Sequence, residues 1–85
     1  MIDPSPELQQ RLSNSFARQH PQRLFRGCKV ADVGGVLVVR IYSHDARFPN
    51  LIPTPYQIFR FDTDSGSLSM LSGEEAAPFT IANYK

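Results

Sequence analysis

Apolar positions fall into three rhythms along the chain. Between residues 5 and 20 Leu8, Leu12 and Phe16 recur every four residues, with Ala17 beside them, which is the narrow stripe of a helix lying on a surface. Ser5 is a good N-cap, Pro6 suits the first helical position, and Glu7 favours the positive end of the helix dipole. Pro21 ends the pattern, because a residue before proline avoids the α region. The remaining surface of this helix is Gln, Asn, Ser and Arg.

From residue 24 the period changes to two. The stretch LFRGCKVADVGGVLVVRIYS reads as a hairpin, with Gly34-Gly35 supplying the positive φ of a two-residue primed turn. That turn sets the register: Val33 faces Val36, Ala31 faces Val38, Lys29 faces Arg40 and Gly27 faces Tyr42. On the other face Val30 meets Val39 and Cys28 meets Ile41, an apolar pairing suited to the core. Lys29 opposite Arg40 is a like-charge pair that ordinarily costs stability.

A second hairpin follows in YQIFRFDTDSGSLSML. A four-residue loop from Thr63 to Gly66 pairs Phe61 with Leu68 and Phe59 with Met70, and leaves Tyr56, Ile58 and Arg60 on the opposite face. Between the hairpins lies SHDARFPNLIPTP, whose three prolines exclude a central strand and whose Phe48, Leu51 and Ile52 need apolar cover. Near the end, Glu74 to Ala77 suits a helical turn and FTIANY is a candidate fifth strand.

The expected fold is α+β: one N-terminal helix packed on a curved antiparallel sheet of four strands in two hairpins, with room for a fifth. The 85 residues suffice for one domain, 1–85, with a small core and a stability margin of about 5 kcal/mol. One cysteine excludes an internal disulfide and a four-thiolate zinc site, so a partner chain is the expected source of further stability. No run approaches the length of a membrane helix, and MIDPSPELQQ lacks the regions of a signal peptide. With a lone thiol, these point to a cytoplasmic protein.

Nine basic and eight acidic residues give a net charge of +1, yet the distribution is polarised. Residues 11–29 hold Arg11, Arg18, Arg23, Arg26 and Lys29 without an acid, whereas residues 62–75 hold Asp62, Asp64, Glu74 and Glu75 without a base. Such a chain can dock on itself or offer its basic half to an anion.

Candidate chemistry narrows quickly. DTDSGSLSMLSGEE opens like a calcium loop, but Gly and Glu stand at the wrong positions and both flanks read as strand, so a hairpin turn is expected. Cys28 falls on the apolar face, where a thiol is inert. His44 beside Asp45 is the remote acid–base candidate, under the 43–55 loop. No cofactor and no metal site are expected.

What remains is a surface. Lys29, Arg40, Tyr42, Tyr56 and Arg60 share the outward face of the sheet if both registers hold, and Phe48, Leu51 and Ile52 supply apolar anchors in the loop. These eight residues are the expected partner-binding set of a non-catalytic interaction module that also self-associates. The competing expectation is single-stranded nucleic acid, or another anion, on the basic and aromatic face.

Overall fold

The computed structural model describes residues 1–47, 56–81 and 83. Phe48, Leu51 and Ile52, and with them most of the 43–55 loop, lie outside the described residues.

One α-helix packs on a four-stranded antiparallel sheet. The helix α1 runs Pro6–Gln19, followed by β1 (Arg23–Val33), β2 (Val36–Asp45), β3 (Gln57–Asp62) and β4 (Ser67–Met70). Sheet order equals chain order, β1-β2-β3-β4. α1 begins where its cap demands: Ser5 Oγ accepts the N–H of Leu8 at 3.2 Å, with Pro6 in the first turn. It ends when the His20 N–H reaches the Phe16 carbonyl at 2.8 Å, one residue before Pro21.

Both hairpins hold the expected registers. Gly34 and Gly35 have φ of 59° and 84°, the two positive values that a primed turn needs. The pairs Val33–Val36, Ala31–Val38, Val30–Val39, Lys29–Arg40, Cys28–Ile41 and Gly27–Tyr42 all form. A bulge between Phe25 and Gly27 inserts Arg26, so Phe25 pairs with Ser43. In the second hairpin Phe61 pairs with Leu68 and Phe59 with Met70 around the Thr63–Gly66 loop. Gly66 adopts φ 73° there, and its N–H reaches the Asp62 carbonyl at 2.7 Å.

The core lies between α1 and the inner sheet face. Leu12 and Phe16 meet Cys28, Val30, Val39, Ile41, Phe59, Phe61 and Leu68 in one cluster. Phe16 stands edge-on to Phe25 and Phe59, at centroid distances of 6.1 and 6.0 Å. Met70 shares this face but lies exposed on β4.

Two expectations change. Among the described residues, FTIANY forms no fifth strand; Ala77–Phe79 is a turn of 3-10 helix instead. Pro78 suits that turn, where its fixed φ favours a helical start. The outer face of the sheet is also partly covered. Val38, Arg40, His44 and Ile58 on that face are all buried.

Candidate functional site

Strand alternation places Lys29, Arg40, Tyr42, Tyr56 and Arg60 on the outer face, as the registers require. Their environments differ sharply. Arg40 is only 4% exposed. Its Nη2 donates to the Phe79 carbonyl at 2.6 Å, and its guanidinium lies 5.0 Å from the centroid of the Tyr56 ring. Tyr56 Oη in turn accepts the Ile81 N–H at 2.8 Å. The segment 77–81 is therefore held against the sheet through its own backbone, by one guanidinium and one phenol. Arg40, expected as a surface contact, is instead a fastener inside the molecule.

Tyr42 and Tyr56 are half-buried and meet edge-on at 5.9 Å. Arg60 is exposed, between Val38 and Ser69 in the ladder. Lys29 forms an ion pair with Asp3, its side chain 41% exposed against 81% for the acid. The like-charge pair of Lys29 and Arg40 is thus resolved inside the chain: each cation turns to a different partner, Asp3 and the Phe79 carbonyl.

The residues suspected of chemistry are not brought together. Cys28 is buried, and burial, reinforced by the nearby Asp3 carboxylate, pushes its thiol up to about 11. Asp45 receives the guanidinium and the backbone N–H of Arg47, which hold its carboxyl below the ordinary carboxylate value. His44, one residue earlier on the strand, projects to the outer face and is 5% exposed, and its Nε2 has no hydrogen-bond partner among the described residues. The two do not form an acid–base pair. Asp62 accepts the N–H groups of Asp64 at 2.9 Å and Ser65 at 3.3 Å, so its carboxylate closes the turn.

Sequence reasoning missed what happens at the two sheet edges. Toward β4, three side chains of α1 reach backbone groups of the strand and of the loop before it. Arg11 Nη2 donates to the Thr63 carbonyl at 2.7 Å, and Ser15 Oγ donates to the Gly66 carbonyl. Gln19 bonds both backbone groups of Leu68. The signal existed: Arg11, Ser15 and Gln19 are spaced by four, a polar stripe beside the apolar one.

The β1 edge is treated differently. Ile2 forms a single antiparallel bridge to Val30, its N–H reaching the Val30 carbonyl at 2.9 Å and its carbonyl accepting the Val30 N–H at 2.8 Å. Strand alternation turns the N–H and C=O groups of Cys28 and Asp32 to the same side. Ile2, Leu24, Val33 and Val36, four of the large exposed apolar side chains, lie on this edge or on the hairpin that carries it.

Among the described residues, no helix is long and apolar enough to cross a membrane, and no group of three or more His, Cys, Asp or Glu side chains converges. Compared with known proteins, the chain matches no family model, no curated protein and no solved structure.

Proposed function

We propose that this protein is a small non-catalytic interaction module that binds another protein and also associates with itself. Its contact surface is the β1 edge, with Lys29, Tyr42 and Tyr56 on the adjoining rim of the outer face. One observation carries the reading: α1 reaches β4 and the loop before it through Gln19, Arg11 and Ser15, whereas among the described residues the eleven-residue β1 carries one bridge, at Val30. An uncovered strand edge is a template for a further strand.

The alternative, single-stranded nucleic acid on the outer face, has less support. Arg40 is buried against residues 77–81 and Lys29 is engaged by Asp3, which leaves Arg60 as the one exposed cation of the three expected to hold phosphates.

Light scattering across protein concentration tests the reading. The mass should rise toward twice that of the monomer. Association should be stronger at about 0.5 M than at about 0.05 M salt, because two basic β1 edges repel until screened. A Leu24→Lys variant should remain monomeric longer. A monomer at every concentration in both salts removes the self-association, and tight binding of oligothymidylate that falls steeply with salt would move the assignment to nucleic acid.

A further inference from the structure

The segment Met1–Asp3 shows what the β1 edge accepts. Ile2 supplies both hydrogen bonds of one antiparallel rung, and the next residue, Asp3, places its carboxylate on the Lys29 ammonium. Backbone pairing plus one acid beside the paired residue is a recognition pattern for an extended acidic chain.

The same segment pairs with β1 over one rung among the described residues. Pro4 has no N–H and ends the pairing after a single rung. The Ile2 side chain is 70% exposed, so the rung buries little apolar surface. The ion pair lies in water, where such pairs contribute little. On either side of Val30, the outward backbone groups of Cys28 and Asp32 form no rung with it among the described residues.

We propose that the β1 edge binds an extended segment of a partner protein, antiparallel to β1, with an acidic residue directly after the residue that pairs with Val30. Met1–Asp3 holds this site in cis until the partner displaces it. A longer strand keeps the contact to Lys29 and adds rungs at Cys28 and Asp32. Charge complementarity selects the partner: β1 carries Arg23, Arg26 and Lys29 against Asp32 alone. The inference rests on the β1 edge being the contact surface, and it adds the chemistry of the occupant.

The test uses the full chain, 15N-labelled, titrated with a blocked hexapeptide Val-Thr-Ile-Asp-Val-Thr and with the same peptide carrying Lys in place of Asp. The acidic peptide should give saturable amide shifts at Cys28, Val30 and Asp32. Ile2→Pro removes the N–H that donates to Val30, and it should tighten binding by about fivefold by weakening the competitor. The lysine peptide should bind at least about fivefold more weakly, and Lys29→Glu should invert the preference. Higher salt should weaken peptide binding, the opposite of its effect on self-association.

Shifts confined to other strands, equal affinity for the two peptides, or no gain in Ile2→Pro would each overturn the proposal. If the chain dimerises through β1 while the acidic peptide fails to bind, the occupant is a second copy: this inference falls and the self-association stands. If neither the peptide nor a second copy engages β1, both fall.

Discussion

The carboxamide of Gln19 meets the backbone of Leu68 as a neighbouring strand would: Nε2 donates to the carbonyl at 2.8 Å and Oε1 accepts the N–H at 2.8 Å. A helix side chain thereby replaces one rung of β-ladder at an edge that would otherwise be open. Gln19→Ala removes two hydrogen bonds in a half-exposed setting and should cost about 1–2 kcal/mol. Denaturant melts give the energy, and amide exchange gives the location. The Leu68 amide should lose protection while the Val30 amide keeps it.

Phe16 is fully buried and touches rings on both sides of the core. Phe16→Ala should cost about 3–5 kcal/mol, most of what a domain of this size has. Circular dichroism should report a largely unfolded chain at 37 °C. Phe16→Leu, which keeps most of the volume, should stay folded with a lower midpoint.

The Cys28 thiol should resist iodoacetamide at pH 8 in the folded state and react at the ordinary rate in denaturant. Its folded pKa, about 11, lies above the ordinary value of 9.0. The stability that goes with the protonated thiol is fully present below pH 9 and is lost as pH rises through 11. Cys28→Ala should therefore flatten the alkaline limb of a stability profile, and an unchanged limb would assign that limb to other groups.

At the acid end the sign reverses. Backbone N–H groups of Ser65 and Asp64 hold Asp62 below the ordinary carboxylate value of 3.8, and the Arg47 side chain and backbone N–H do the same for Asp45. Their contribution is present above pH 3.8 and is lost as pH falls through the depressed folded values. Asp62→Ala should lower stability at neutral pH and reduce its further fall below pH 4.

Tyr56 Oη holds the Ile81 amide, and Arg40 holds the Phe79 carbonyl. Tyr56→Phe should cost about 1 kcal/mol and speed exchange at Ile81, leaving the β1–β2 amides unchanged. Exchange at Ile81 that matches the parent chain would show that the Tyr56 hydroxyl does not hold the segment.

Local rules made the helix and both hairpins legible. Ser5-Pro6 and Pro21 bracket α1, and Gly34-Gly35 with Gly66 set the two turns. Those turns then determine which side chains share a face. The cover over the outer face was harder to read, although β2 carried a sign of it. Leu37, Val38 and Val39 form a continuous apolar run, which suits a strand buried on both faces. The covering segment escaped because Arg40 and Tyr56 grip its backbone, and backbone leaves no periodic trace in sequence. The edge contacts escaped for a similar reason, since Gln19, Ser15 and Ile2 each bond to main chain whose residue identity hardly matters. Of the expected contact set, Lys29, Tyr42, Tyr56 and Arg60 keep surface, Arg40 does not, and Phe48, Leu51 and Ile52 lie outside the described residues.

Each hairpin of a sheet whose strand order equals its chain order can zip up from its own short turn. The contacts of α1 with the β4 edge cannot, because they join residues 49 to 52 positions apart. On this ordering the helix docks last, after closing a loop of at least 49 residues. Until it docks, the nascent sheet has two sticky borders instead of one, and a crowded chain at that moment stacks on its neighbours. Yield on refolding should therefore fall with protein concentration more steeply for Gln19→Ala than for the parent chain.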